Sequence, residues 1–479
     1  MTCAMRTNQD WGVVTAPLPH QLAALEKMKP TRVGALFMDM GTGKSLVVIL
    51  LAHLRRHKIS KVVWCCPVSL KRNTCEQILM HTDCAPGQVY LFNDKTTDKN
   101  MPLADWYIVG LESIGGSNRV TVAFNALIDE HTMLIVDESS YIKGHRAKRT
   151  KRLTLIGLRA KYRLVLNGTP ISQGLEDLYA QISFLSERIL GYRSWYSFSR
   201  AHLSYSEKFK GKIERRDGLG WIGERIAPYV YQVKKSECLT LPKKGFANRY
   251  VNLTGAQQKL FDAAKIRFED EVMQMDSEDE IGILIYRLFG ALQAIVNGVI
   301  PAGFHNEGGS LSNRKIDEVI ATLDRINEPH TVVWARYRRS VLDLQSSLIE
   351  EGYQPWLYYG DLSEAKRAEQ LEGWRNEGGV LVATESCGGF GLTLTEASYC
   401  IFMGNGFKYS ERIQAEDRLH RIGQSRNVHY TSIWARAGIE ERIEAALDKK
   451  ENALHAFRRE VDRVKRGGKD KLKELLKAL

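Results

Sequence analysis

Cysteine is sparse and never set out to hold a metal or a disulfide framework. Eight occur in 479 residues, and no two form a C-x-x-C pair. Reduced, mostly buried thiols are expected, which goes with a cytoplasmic setting, bacterial or phage-infected host, the nucleus being the alternative. No apolar run approaches the roughly 18–20 residues needed to span a bilayer, so no membrane partner is expected. The opening MTCAMRTNQDWG has no apolar stretch, and no secretory leader is expected from it. No repeat of solenoid period occurs. What is present is an ordinary globular composition, 44% hydrophobic and 26% charged, long enough for two or three domains. The formal net charge of +12 points to a polyanion, an unspecialised basic protein being the alternative. Residues 449–479 hold eleven Lys/Arg against five Asp/Glu. They read as a basic helical tail for DNA or a protein partner, or as a solvated terminal helix.

The stretch that organises the first half is MDMGTGKS at 38–45, between an apolar segment at 33–37 and a helical run from Leu46. Gly41 and Gly43 allow a tight turn whose amides point at a phosphate, and the helix start favours an anion. Met40, Gly41, Thr42, Gly43, Lys44 and Ser45 are therefore candidates for holding a nucleotide, with Lys44 on its phosphates and Ser45 on Mg²⁺. The P-loop pattern wants glycine where Met38 stands, so a Gly-rich turn before a buried helix is the alternative. Gln21 opens a preceding helix, and its amide can read an adenine edge or simply start that helix. TMLIVDE at 132–138 is a buried strand delivering two carboxylates, Asp137 for Mg²⁺ and Glu138 for the attacking water. Charge at the end of a buried strand is costly unless used or paired. Ser69, Lys71 and Arg72 follow the strand at 61–67, and Thr169 follows the strand at 162–166. The first three can touch a phosphate backbone, or form a solvated loop.

Residues 186–310 lose the strand–helix alternation and read as helical insertions. Alternation resumes after residue 330, with strands at 332–335, 356–359, 380–383 and 399–403. Thr384 follows the third of these and joins Ser69, Lys71 and Thr169 as a candidate for coupling or DNA contact. A Gly-rich stretch at 387–391 can approach a phosphate. Arg418 and Arg421, three apart on an expected helix, offer guanidinium groups for charge on a phosphoryl in transfer, or are a surface pair.

Taken in order, these stretches resemble the motifs of superfamily 2 helicases, specifically the SWI/SNF-type DNA translocases. QAEDRLHRIGQ at 414–424 is similar almost letter for letter to that family's last motif. DESSYIKG at 137–144, NGTPISQGLEDLYAQISFL at 167–185 and VKKSECLTLPKK at 233–244 resemble the same branch. The resemblance spans roughly residues 15–450. It implies an α/β fold of two tandem RecA-like P-loop NTPase lobes with helical insertions between them, and ATP with Mg²⁺ in the cleft between the lobes. It places Gln21 at the adenine position, Thr169 in a coupling motif, Gly391, Gln414 and Asp417 near the nucleotide, and Arg418 and Arg421 as arginine fingers. It also implies an ATP hydrolase that tracks along duplex or branched DNA in repair, recombination or fork remodelling. The expected divisions are an ATP-binding lobe at 1–245 with an insertion at about 186–230, a helical linker at 246–310, a second lobe at 311–450 and the basic tail at 451–479. Departures fall at Ser139-Ser140, at Ile171-Ser172-Gln173 and at Thr393, positions of coupling and DNA contact. With no appended reader module, a compact bacterial or phage-like motor acting as a monomer is expected. A strand-separating DNA or RNA helicase, a restriction-system motor and a hydrolytically dead clamp are the competing readings.

Overall fold

The computed structural model describes residues 11–168, 175–206, 213–273, 278–388, 392–449 and 475. The chain divides into two compact units, Met1–Thr240 and Leu241–Leu479. In the first, apolar runs such as VVWCC and MLIV are buried on both faces and form strands. These are β1 Val33–Met38, β2 Lys61–Cys66, β3 Val89–Leu91, β4 Trp106–Gly110, β5 Thr132–Val136 and β6 Tyr162–Asn167. A small antiparallel hairpin follows, β7 Leu203–Tyr205 and β8 Ile213–Arg216, then β9 Val230–Val233. The main sheet is parallel throughout, in the order β3-β4-β2-β5-β6-β1-β9. Strands β5, β6 and β1 are thus neighbours, and their carboxyl ends lie along one edge, where open α/β sheets collect ligands.

The second unit repeats the principle with β10 Lys244–Val251, β11 His330–Ala335, β12 Pro355–Tyr358, β13 Gly379–Thr384, β14 Tyr399–Phe402 and β15 Val428–Ala435. Their order is β10-β15-β14-β11-β13-β12, again all parallel. One polar contact lies deep in this unit. Lys315 Nζ and Glu440 Oε1 pair at 2.5 Å with both side chains essentially inaccessible, and Glu440 Oε2 accepts the Ala435 amide at 2.6 Å. The pair ties the helix Arg314–Ile326 to the helix Gly438–Asp448 and to the end of β15.

Two sequence expectations change here. The region taken as a helical linker from 246 begins with β10, an edge strand whose KGFANRYV is at least partly exposed all along and so carries no apolar alternation. The helices expected beyond it are present, Gly255–Met273 and Glu278–Val296. The insertion near 186–230 mixes the helices Trp195–His202 and Leu219–Ile226 with the β7–β8 hairpin. After β4 the chain turns directly into a helix, Leu111–Gly116. Among the described residues all seven cysteines are free thiols, and no helix is long and apolar enough to cross a membrane.

Candidate nucleotide site

The phosphate-type loop leaves β1 at Met38. Met38 is still extended strand and wholly buried, so the missing glycine costs the turn nothing there. Gly41 and Gly43 carry the positive φ, +76° and +80°, a conformation that side chains rarely adopt. Gly43 caps the helix Lys44–Arg55, so Lys44 and Ser45 begin it. Lys44 Nζ donates to the carbonyls of Met38 (2.8 Å) and Asp39 (3.2 Å). Thr42 Oγ1 donates to Asp39 O at 2.7 Å. Gln21 and His20 brace the loop from the helix Pro19–Met28. Gln21 Nε2 donates to Thr42 O and Gly43 O at 3.2 and 3.3 Å while Oε1 accepts the Leu18 amide. His20 Nε2 lies 2.8 Å from Thr42 O. His20 carried no sequence signal, since its partner is a backbone atom more than twenty residues away.

Asp137 and Glu138 leave β5 two strands from β1. Asp137 is pushed above the usual carboxylate range by burial, with Lys44 and the Glu138 amide opposing. That amide donates to Asp137 Oδ1 at 2.9 Å. Glu138 has φ +47°, a left-handed conformation uncommon outside glycine, Asn and Asp, of the kind that clusters at functional sites. Between the two lies β6, whose end approaches the loop closely. A Cβ at Gly168 would sit 3.3 Å from Met40 Cγ and 3.5 Å from the Met40 amide nitrogen. Behind the carboxylates a buried relay, unnoticed in the sequence, joins three elements. Asn167 Nδ2 donates to Ser139 Oγ (3.4 Å), and Ser139 Oγ donates to Gln181 Oε1 (2.5 Å). Ser69 is exposed after β2, and Lys71 Nζ donates to Phe92 O at 2.7 Å. Thr169 lies outside the described residues.

In the second unit Arg418 and Arg421 are not on a helix, contrary to expectation. The helix Tyr409–Glu416 ends before them. It tightens through the i→i+3 bonds Arg418 N to Ala415 O and Leu419 N to Glu416 O, and the segment then turns at Gly423 (φ +99°). The turn still brings the two together, because Nη1 of each donates to Leu392 O, at 3.3 and 3.2 Å. Gln414 supplies its carbonyl to Arg418 Nε, and Asp417 faces Lys244 Nζ at 3.6 Å. Gln424 Nε2 donates to Thr395 O, Ala397 O and Leu419 O, and His420 Nε2 lies 2.8 Å from Pro242 O. Much of the last motif is therefore a staple for the segment after the Gly-rich loop. Gly391 lies outside the described residues, and Thr384 is the buried last residue of β13.

Glu385 follows Thr384. Its carboxyl is buried, with the Gly406 backbone beside it and Arg336 4.0 Å away. Burial raises its pKa to about 7, Arg336, Arg412 and the Gly406 amide pulling it down and Glu411 pushing it up. Between the ordinary carboxyl range and pH 7 the folded chain keeps a proton that the unfolded chain loses. Stability therefore falls as pH rises through that window, by about 3 kcal/mol in all. Glu385→Gln should match wild type near pH 4.5 and melt higher at pH 8. A pH-independent difference in melting midpoint would refute this.

A model of the SNF2-related domain matches residues 20–296, more than half of the chain. The chain belongs to the SNF2-related family. The helicase conserved C-terminal domain matches residues 314–423 of the same SNF2-related chain. Arabidopsis thaliana Protein CHROMATIN REMODELING 24 is 26% identical over 362 residues, covering 65% of this chain and 32% of that one. The ATP-dependent DNA helicase DDM1 of the same plant is 22% identical over 455 residues, 86% of this chain and 57% of that one. The SNF2-related chain thus spans 32% and 57% of the length of these two relatives. The Hef helicase domain of Pyrococcus furiosus, 15% identical, aligns with a TM-score of 0.52 over 90% of this chain and 98% of that one, a likeness of fold alone. The two parallel sheets are tandem RecA-like lobes.

Proposed function

We propose that this SNF2-related chain is a DNA-dependent ATPase that couples ATP hydrolysis to movement along duplex or branched DNA. The observation that carries the hydrolytic part is the adjacency of β1, β6 and β5, which sets the Lys44–Ser45 loop and the Asp137–Glu138 pair on one sheet edge. In this reading the loop amides and Lys44 bind the phosphates, and Glu138 takes the proton of the attacking water. Arg418 and Arg421 meet charge on the transferred phosphoryl. Hydroxyl and carboxylate oxygens suit a hard cation, so Ser45 and Asp137 would hold Mg²⁺, which neutralises phosphate charge when bound. Support for DNA comes from the name of DDM1, a DNA helicase, and from the chain's net charge of +12. Roles in repair, recombination or fork remodelling belong to the same proposal.

The test is steady-state ATP hydrolysis with no nucleic acid, single-stranded DNA, duplex DNA, branched DNA and RNA at one salt concentration, with Glu138→Gln as the blank. Stimulation by duplex or branched DNA is expected. Stimulation by RNA or single strands only would replace the translocase with a strand-separating helicase.

A further inference from the structure

From Ser139 to Leu175 the chain carries nine Lys/Arg and not one Asp/Glu. That is three-quarters of the net charge, in a stretch beginning directly after Glu138. Several of these cations serve the fold. Arg152 donates to Ile114 O, Thr121 Oγ1 and Asn118 Oδ1, Arg159 donates to Asn125, and Lys143 faces Asp177 at 3.6 Å. Arg146, Lys148 and Lys151 do not. All three are exposed, and none has an ion pair among the described residues.

The three stand together. Lys148 and Lys151 are one turn apart on the helix Lys148–Gly157. Arg146 and Lys151 both act on His145, which burial and these two cations keep below its ordinary pKa. The His145 ring stacks on Trp195, centroids 4.2 Å apart and planes 14° apart. Like charges gathered without counterions repel one another, and the compact state gains nothing from them. The first turn of that helix holds no acid to offset them.

We infer that Arg146, Lys148 and Lys151 form a contact surface for the phosphodiester backbone of duplex nucleic acid on the first unit. The inference rests on the DNA reading above and adds to it a surface apart from the loops after β1, β2 and β6. Its contribution is electrostatic and sequence-independent.

The measurement is fluorescence anisotropy of a labelled 30-base-pair duplex, titrated with the full chain at several KCl concentrations. Each phosphate contact contributes about 0.9 to the slope of log K against log salt. Arg146→Gln/Lys148→Gln/Lys151→Gln should lower the slope by about 2–3 and weaken binding at least about tenfold at physiological salt. A control, Lys58→Gln/Lys95→Gln/Lys99→Gln, removes equal charge from other exposed positions and should keep the wild-type slope. An unchanged slope in the first variant, despite a wild-type melting midpoint, overturns the inference. So does an equal loss in the control, or competition by poly-glutamate as effective as by unlabelled duplex. If wild type shows no salt-dependent binding to duplex, the DNA reading fails as well.

Discussion

Glu138→Gln is expected to lower ATP turnover by about 10²–10⁴-fold, the range typical of losing a general base. Gln keeps the shape of the side chain and its backbone cost at φ +47°, so the change isolates the carboxylate. The groups proposed to hold the phosphates lie on another strand: the loop after β1, with Lys44 and Ser45 starting its helix. The KM for ATP should therefore stay within about threefold while kcat falls, the pattern of an interaction made only in the transition state. The Glu138 amide that bonds Asp137 Oδ1 is untouched, so the neighbouring carboxylate keeps its orientation. Steady-state kinetics over a range of ATP concentrations checks this. A kcat within tenfold of wild type, or a loss carried by KM, would remove Glu138 from the base position.

The largest effect on stability is expected from Lys315→Met. Removing one member of a buried ion pair leaves the other charge uncompensated, at a cost of about 3–5 kcal/mol. Here the survivor would be Glu440, itself only 1% exposed. Its second oxygen would still hold the Ala435 amide, so the carboxylate cannot turn away to water without breaking that bond. Lys315→Met/Glu440→Gln should recover most of the loss, because a neutral amide restores the balance and can accept from the same backbone N–H. Urea unfolding followed by tryptophan fluorescence measures both, Trp334 and Trp434 lying in the same unit. A single-variant loss under about 1 kcal/mol would mean that the pair is solvated.

Elements marked by composition were readable in the sequence, and elements set by long-range partners were not. The buried strands follow from runs such as TMLIV in the first sheet and TVVWA in the second, and the candidate phosphate loop follows from two glycines at fixed spacing. The edge strand β10 escaped because one neighbour and solvent leave no alternation to read. Arg418 and Arg421 fit a helix by spacing alone. Their shared acceptor, Leu392 O, belongs to a segment nearly thirty residues away, and that contact holds the turn. The Asn167–Ser139–Gln181 relay was equally hidden, since Ser139 reads as a departure from a motif until its buried partners are seen. The tail charge was counted, but the larger excess after Glu138 sits inside a motif and a helix, where no terminal run draws attention to it.

The parallel order of the first sheet has a consequence for synthesis. Strand β1, bearing the phosphate loop, pairs with β6 and β9, Val33 lying opposite Arg163 and Ala35 opposite Val230. Both partners are made long after β1 leaves the ribosome, a wait at usual elongation speeds of roughly six to twenty-five seconds for β6 and ten to forty for β9. Until β6 is made an apolar strand, VGALFM, has both edges open, and until β9 is made it still has one. The candidate nucleotide loop is thus translated early and seated late. A nascent chain halted before residue 230 leaves that strand half-paired, a natural place for a chaperone to hold.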